Sequence, residues 1–371
     1  MKTDFGAQQT QQRLAWGHKA YEEFIEQFFF TNFLGEGEDA IIEHITELSE
    51  NDKGQSGAML HLIADLHGGG IAGDGEIEGR ESELSVYWQE VQYGMISKAV
   101  TNKGKLADSK SVIQFRVPSR KKLARWLAET MEEQAIHFAS GIPFTLNLDG
   151  SPRQTPAGED PWTDLDYSGD IAAPTANRFF RYSAANGLQS GDTTQIAAAD
   201  TLKYGVLPDL VAEARTRNIK PIRKGGREYY VFLTSEKGMA QLWKDPDFRT
   251  SIVQADTRGD DNKIFSGSTV TMHNLIIRPY RRVYNTRGAA SGQKWGAGGA
   301  IDGARSLLLG AQALAFADIA PPDWEEKAFN YGKRQGISLS KMMGWLKPKF
   351  YTGVSNTVED FGVAVLDHAM G

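Results

Sequence analysis

The chain has 371 residues, of which 40 % are hydrophobic and 24 % are charged, and its formal net charge is −6. This composition is typical of a folded protein with one elaborate core or a few cooperating cores, and it excludes a disordered chain. The absence of cysteine excludes disulfides and thiolate chemistry, and the negative charge argues against wrapping nucleic acid, although not against enclosing it.

The N-terminal stretch carries no targeting signal. Residues 1–17 lack the basic-then-apolar layout of a signal peptide, and the longest apolar run, residues 306–320, is too short to cross a bilayer. These features predict a soluble protein made in the cytoplasm, without a membrane partner.

An aromatic segment follows a polar N-terminal arm. Five phenylalanines lie between residues 24 and 33, which is too many for one stripe of an isolated helix. Either the chain's own core absorbs them or they pack on another subunit, because exposed patches of that size usually mark contacts. Phe28, Phe29 and Phe30 are therefore candidates for a subunit contact.

Residues 59–65 and 83–101 have the composition of two strands and predict an extended hairpin. The glycine-rich connection between them carries four acidic residues, Asp74, Glu76, Glu78 and Glu81. It matches neither a Walker loop, nor a calcium loop with glutamate at its twelfth position, nor a dinucleotide fingerprint, so we expect no cofactor or metal there. A lone hairpin is marginally stable, and this one needs a surface to lie on.

Residues 118–140 predict the longest helix of the chain. Apolar side chains recur at steps of three and four residues, and Gly141 followed by Pro143 ends the run. The N-terminal half is basic and the C-terminal half acidic, the order that the helix dipole disfavours. Either this is a solvated polar face, or the helix meets charged surfaces of neighbouring copies through Arg120, Lys121, Lys122 and Arg125.

The rest of the sequence mixes loops, strands and short helices. Residues 141–182 predict a long loop, residues 197–217 a helix broken near Val206, and residues 221–233 a hairpin with a diglycine turn. Arg278, Arg281 and Arg282 form a local basic patch, interpreted as solvated charges that guard an edge strand against pairing with another chain. Residues 327–351 look like polar connections and residues 361–366 like a buried strand. The fold class predicted is α+β.

No motif in the sequence specifies a catalyst. The histidines form no metal-ligand pair, and no serine lies in a Gly-x-Ser-x-Gly elbow. An arm, a projecting hairpin and a long helix can bury little of their surface within one monomer and much more of it between copies. Heterologous contacts of this kind close into rings or shells. We therefore expect a structural protein and no enzyme.

A series of short blocks resembles the major capsid proteins of tailed double-stranded DNA phages, in the branch typified by coliphage N-four. The blocks are Gly73, Asp74, Ile77, Glu78, Gly79, Glu81 and Leu84, then Ser140 and Gly141, and then residues 228–233, 262–267, 306–313 and 360–363. The series runs in order along nearly the whole chain.

This resemblance implies the Hong Kong 97-type capsid fold, with an N-arm, an extended E-loop, a long spine helix, a peripheral domain and an axial domain. The implied segments are an N-arm at 1–54, an E-loop at 55–105, a peripheral domain at 106–190 with its spine helix at 118–140, a largely axial domain at 191–320 and a return to the peripheral domain at 321–371. The charged helix would then face neighbouring arms and E-loops.

The resemblance also implies a function. The chain would form hexamers and pentamers of an icosahedral virion shell around packaged DNA, without sequence-specific binding. Because it starts with the arm-like region, we expect a separate scaffolding protein, together with a portal and, as an option, a decoration protein. We expect no covalent cross-link between subunits. The alternatives are an encapsulin-like cellular compartment and, less favoured, a soluble α+β enzyme.

Overall fold

A computed structural model describes most of the chain and has an α+β architecture. It describes residues 19–20, 23, 25, 27–37, 39–46, 57–63, 71, 78, 86–104, 115–255, 270–351 and 357–371. Within these ranges no helix is both long and apolar enough to cross a membrane.

Helices, short 3₁₀ turns and strands alternate along the chain. The helices are α1 Arg116–Ser140, α2 Val206–Thr216, α3 Glu236–Lys244 and α4 Pro246–Ala255. The 3₁₀ turns are Phe29–Phe33, Trp162–Asp164, Asp166–Asp170, Ala176–Arg178 and Thr193–Gln195. The strands are β1 Leu34–Gly35, β2 Ile42–Ile45, β3 Gly57–Ile63, β4 Val86–Gln92, β5 Gly94–Thr101, β6 Phe179–Ser183, β7 Gly187–Ser190, β8 Ile222–Lys224, β9 Arg227–Thr234, β10 Val270–Met272, β11 Leu275–Pro279, β12 Gly303–Leu309, β13 Leu314–Ala317, β14 Asp323–Phe329, β15 Arg334–Leu346, β16 Lys349–Tyr351, β17 Val358–Asp360 and β18 Val363–Ala369.

Two sheets organise these elements. The smaller, six-stranded sheet has the order β1-β2-β13-β15-β14, with β5 also paired to β15. The larger, eight-stranded sheet has the order β10-β11-β9-β12-β18-β6-β7, with β8 also paired to β9. Two separate hairpins, β3–β4 and β16–β17, complete the described strands.

The central strands of the larger sheet are buried on both faces. Because side chains alternate along a strand, β9, β12 and β18 contribute to a core on each side. One face, toward α1 and the smaller sheet, carries Val231, Leu233, Leu307, Leu309, Val363 and Val365. The other face, toward α2 and α3, carries Tyr230, Phe232, Leu308, Ala364 and Leu366. This explains the nearly continuous apolar run at the end of the sequence, where the predicted strand is confirmed.

Helix α1 confirms the predicted long helix and begins two residues earlier, at Arg116. Its first half buries the expected apolar stripe, whereas its second half is buried almost all round, including the polar side chains of Gln134 and His137. This burial arises because α1 contacts β15 of the smaller sheet and also β12 of the larger one. Helix α2 begins at Val206, with Pro208 in its first turn, where proline is tolerated.

Gly141 ends α1 in a conformation that suits only glycine. Its φ is +67°, and an added Cβ would lie 2.5 Å from the carbonyl oxygen of Ala172. We expect Gly141→Ala to lower the free energy of unfolding by roughly 2–4 kcal/mol, from backbone strain and overpacking together. Gly158→Ala is the matched control, because Gly158 has a φ of +87° with nothing within 4 Å, and it should cost about 1 kcal/mol. Equal losses in urea unfolding would contradict the steric part of this explanation.

The predicted hairpin is observed, but its second strand is shorter than expected. Strand β3 pairs antiparallel with β4, whereas the continuation, β5, leaves the hairpin and pairs with β15. The chain crosses over here because Gly344 lets the backbone pass closely, since a Cβ at that residue would lie 2.0 Å from the carbonyl oxygen of Gln92. Of the connection between β3 and β4, only residues 71 and 78 lie within the described ranges.

Each of the two sheets draws strands from more than one of the segments expected as domains. Strands β6 and β7, expected in the peripheral segment 106–190, belong to the larger sheet, and so does β18, which pairs with β12 and β6. Strand β13, expected in the segment 191–320, belongs to the smaller sheet. Residues 327–351 are also not polar connections but strands, including the long β15. The return at 321–371 therefore ends in the larger sheet, because the final apolar strand completes both of its cores.

Candidate subunit-contact surface

The basic half of α1 is only partly neutralised within the chain. Arg120 forms an ion pair with Glu23 at 2.5 Å, and both side chains are mostly buried. Arg125 is exposed and pairs with Glu129 one turn further along, at 2.9 Å. Lys121 and Lys122 are exposed, and neither has an ion pair with any residue in the described ranges. The open positive charge of the helix therefore lies at these two lysines.

The carboxylates in the acidic half of α1 form ion pairs with arginines of the same subunit. Arg282 lies 3.3 Å from Glu129, 3.6 Å from Glu132 and 3.8 Å from Glu133, counted between the nearest side-chain nitrogen and oxygen atoms. Arg153 also pairs with Glu133. The unfavourable order of charges along the helix is thus compensated by arginines from distant segments, which corrects the picture of a rod with two open charged ends.

Glu132 also fixes the aromatic segment that precedes β1. One carboxylate oxygen accepts a hydrogen bond from the backbone N–H of Phe29 at 2.7 Å, and the other accepts one from the Tyr280 hydroxyl at 2.8 Å. Burial, followed by the neighbouring charge of Glu132, raises the pKa of Tyr280 well above its usual value. Glu132 therefore joins three segments that are far apart in sequence.

The phenylalanines lie mainly in the chain's own core. Phe28 is 5 % and Phe30 1 % exposed, and the ring of Phe29 stacks on Tyr280 with centroids 4.2 Å apart. The guanidinium of Arg278 covers the Phe29 ring at 4.7 Å. This burial fits the core alternative and leaves Phe28 and Phe30 almost no surface for another subunit. The expectation that these two pack on a partner is therefore corrected.

Ion pairing lowers the pKa of two helix carboxylates. Burial alone would raise the pKa of Glu129, but Arg125 and the arginine of the network described above outweigh it and hold this pKa below its usual value. Burial is likewise outweighed at Glu133, where His137 and Arg153 keep the pKa low. Both carboxylates therefore stabilise the fold above the usual glutamate pKa, and this stabilisation is lost as the pH falls through their folded-state pKa values.

We expect the melting temperature of the subunit to fall as the pH is lowered from 7 to 3, and to fall less for Glu133→Gln. At pH 7 the variant should melt roughly 2–4 °C lower than the parent, since it lacks the partly buried ion pairs of Glu133 with Arg153 and Arg282. Asp170 acts in the opposite sense, because burial and then the charge of Glu90 raise its pKa. Comparing the variant with its parent cancels this contribution. Scanning calorimetry measures both melting temperatures as a function of pH. Equal falls in the variant and its parent would contradict the prediction.

A basic groove of about 580 Å³ runs along the exposed side of α1. It is lined by Lys121, Lys122, Arg125, Arg281, Arg282, Gln27, Ala128, Glu129 and Glu132. Cations outnumber carboxylates in this lining, so the groove suits an anionic segment. We call it the α1 groove.

Sequence reasoning identified one wall of the α1 groove and missed the other. Arg281 and Arg282 were interpreted with Arg278 as a possible edge-strand guard, whereas Arg282 binds the helix and Arg281 lines the groove. The only available signal was an unusual density of arginine, which does not reveal its partner. Among the predicted loop acids, Glu78 is exposed, and Asp74, Glu76 and Glu81 lie outside the described residues. Within those residues, no group of three or more His, Asp or Glu side chains is placed to hold a metal ion.

Comparison with known proteins places these features in one family. The model of a family described as phage capsid protein matches residues 5–371. The major capsid protein of Pseudomonas phage KPP25 is 38 % identical over 365 residues, covering 97 % of this chain and 96 % of that protein.

Solved structures share the fold. The capsid of Ralstonia phage GP4 has a TM-score of 0.73 at 22 % identity, covering 92 % of this chain and 91 % of that one. The capsid asymmetric unit of cyanophage Pam1 has a TM-score of 0.68 at 17 % identity, covering 93 % of both chains.

Proposed function

Because the chain belongs to the phage capsid protein family, we propose that many copies of it form the icosahedral head that encloses the packaged double-stranded DNA of a tailed phage. The chain is a major capsid protein of a phage, a structural component of the virion, and it has the Hong Kong 97-type fold expected from its sequence. The observation that carries this conclusion is the 38 % identity to a phage major capsid protein over 97 % of the chain.

We propose that this role is structural without catalysis or a cofactor. A Ser–His contact does exist, with Ser306 Oγ 3.1 Å from His368 Nε2, but both residues are fully buried. Burial lowers the pKa of His368 to about 4, so the imidazole stays neutral at physiological pH within the core. A substrate could not reach this pair without unfolding the larger sheet.

We propose that α1 and the smaller sheet form the peripheral domain, and that the larger sheet with α2, α3 and α4 forms the axial domain. The division of the described apolar residues into a core around α1 and a core around α2 supports this assignment. The β3–β4 hairpin would be the base of the E-loop, because Ala58, Leu60 and Leu62 pack with Phe350 in a small core of their own.

We propose that the acidic E-loop of one copy lies in the α1 groove of a neighbouring copy. Asp74, Glu76, Glu78 and Glu81 supply negative charge within eight residues of sequence, and Lys121 and Lys122 supply open positive charge in the groove. Opposite charges of this kind steer association and fix the register of a contact. Hexamers and pentamers of the shell would repeat this contact.

We propose further partners in head assembly, namely a separate scaffolding protein, a portal and, as an option, a decoration protein. The net charge of −6 fits a shell that encloses DNA without binding it through a basic surface. Expression of the chain alone and together with its neighbouring phage genes would identify which of these are needed.

Electron microscopy of these preparations tests the proposed function. We expect closed, angular shells tens of nanometres across, formed alone or with the co-expressed proteins. Shells that contain a cargo protein in place of DNA would favour the encapsulin-like alternative. Discrete small oligomers under both conditions would contradict a shell-forming role and return the soluble enzyme to consideration.

A further inference from the structure

The hairpin of β14 and β15 ends in an exposed aromatic tip, residues 329–334. Tyr331 is fully exposed and has a φ of +54°, between Asn330 at +50° and Gly332 at +81°. The backbone N–H of Gly332 donates to the carbonyl oxygen of Phe329 at 3.1 Å, which closes the turn. Asparagine and glycine suit these left-handed positions, whereas tyrosine does not. A large aromatic side chain is thus held in solvent where a small residue would serve the turn better.

The second aromatic ring of the tip is held in place. A Cβ at Gly336 would lie 2.7 Å from the Phe329 ring, so this ring rests directly on the glycine across the hairpin. The ammonium group of Lys327 lies 5.4 Å from the ring centroid, and Phe329 remains 38 % exposed. The tip therefore presents an ordered aromatic surface, of the kind that serves as an anchor in protein contacts.

The tip is also strongly basic. Lys333 and Arg334 belong to the tip, and Lys103 and Lys327 lie beside it. All four are exposed, and none of them is ion-paired with a residue in the described part of the chain. Lys103 joins the tip because the neighbouring Gly104 lies beside the backbone of Lys333. An acidic surface is the natural complement.

A loop with exposed carboxylates lies near the opposite end of the ladder between β5 and β15, in the smaller sheet. Residues 159–170 carry the exposed acids Asp160, Asp164 and Asp166, the half-buried Asp170, and Glu159, which is already ion-paired with Lys98 of β5. The loop is ordered, because the buried Tyr167 donates a hydrogen bond to Gln134 of α1 at 3.0 Å, and the guanidinium of Arg153 covers Trp162 at 4.0 Å. One carboxylate oxygen of Asp170 is buried without a hydrogen-bond partner. Burial raises the pKa of Asp170, so the exposed carboxylates of Asp160, Asp164 and Asp166 supply the loop's accessible negative charge.

Within one chain, Asp166 of the acidic loop lies far from the tip. Asp166 lies beside Gly94, which pairs with Met343 at one end of the β5–β15 ladder, whereas Thr101 pairs with Gly336 next to the tip. Seven residue steps separate the two ends, which is roughly 23 Å at about 3.3 Å per residue. Complementary patches at opposite ends of one sheet favour a heterologous contact between copies, which closes into rings or shells.

We propose that the basic aromatic tip at 329–334 of one copy docks on the acidic loop at 159–170 of a neighbouring copy. This inference rests on the proposed function in one respect, that the copies assemble. It concerns a contact distinct from the E-loop and the α1 groove. The tip would supply the aromatic anchor and the cations, and the loop would supply the carboxylates.

The chain has no cysteine, so engineered cysteines can test this contact without cross-links through native thiols. Shells of the Tyr331→Cys, Asp164→Cys double variant, treated with a short bis-maleimide, should give a ladder of covalent multimers on a denaturing gel. The matched control pairs Tyr331→Cys with Thr250→Cys on exposed α4 and should give no ladder. The proposal would be overturned if the subunits of Tyr331→Cys, Asp164→Cys shells still ran as monomers on the gel after this treatment. So would dimers from Tyr331→Cys alone, because the tips would then meet each other.

Charge reversal gives an independent readout. Lys333→Glu with Arg334→Glu should reduce the yield of shells at least tenfold, and adding Asp164→Lys with Asp166→Lys to the same chain should restore most of it. Unchanged yield in the first variant, or no recovery in the combined one, would contradict the contact. Formation of shells by the parent chain tests the proposed function separately, so the two failures are distinguishable.

Discussion

Arg305→Met is expected to remove about 3–5 kcal/mol from the free energy of unfolding, a large share of the roughly 5–15 kcal/mol typical of folded proteins. Arg305 donates through Nε and Nη2 to the two carboxylate oxygens of Asp367, each at 2.8 Å, and both residues are buried. Its third contact, from Nη1 to the carbonyl oxygen of Ser140 at 3.0 Å, ties the end of α1 to the larger sheet. Removing the arginine leaves a buried carboxylate without its cation.

Urea unfolding of the unassembled subunit, followed by tryptophan fluorescence, measures this loss. The double variant Arg305→Met, Asp367→Leu is the control, because it removes the orphaned charge as well as its partner. We expect it to be more stable than Arg305→Met alone, which would show that the cost comes from the uncompensated carboxylate. A single variant as stable as the double variant would contradict this explanation.

Reversing the charge of the α1 groove should abolish shell formation while leaving the subunit folded. Lys121→Glu with Lys122→Glu changes two exposed side chains, so the free energy of unfolding should change by no more than about 0.5 kcal/mol each. The proposed contact with the acidic E-loop would become repulsive, and this repulsion would be repeated at every neighbouring pair in the shell. Electron microscopy and sedimentation of the assembly mixture measure the yield of shells.

A matched variant and a compensating one make this experiment specific. Lys237→Glu with Arg249→Glu reverses the same amount of exposed charge on α3 and α4, away from the groove, and should still assemble. Glu78→Lys with Glu81→Lys should impair assembly by itself and partly rescue the groove variant. Normal shells from both the groove variant and the E-loop variant would remove the case for this contact.

Local patterns predicted the elements whose determinants lie close together in sequence. The α1 helix was predicted because its apolar spacing and Gly141 are local signals, and the 225–226 turn because two glycines accept positive φ. The buried strand at 361–366 was equally visible, since a strand covered on both faces has a continuous apolar run. The family, and with it the fold, followed from the order of short blocks along the chain.

Features that depend on distant partners were missed or misread. The segment that forms strand β15 was interpreted as a polar connection because it carries lysines, yet one of them, Lys341, is buried and ion-paired with Asp318. The compensation of the helix carboxylates could not be foreseen, because Arg282 is about 150 residues away from them in the chain. The same distance concealed the second wall of the α1 groove.

The position of β18 has a consequence for synthesis on the ribosome. Its seven residues follow every other described strand in the chain, yet they lie between β12 and β6 and contribute side chains to both cores. Domains fold as units while the chain emerges from its N-terminal end, and here neither core can be completed before residues 363–369 have left the ribosome. A nascent chain whose β18 has not yet emerged lacks both finished cores, and with them the surfaces on which neighbours would assemble.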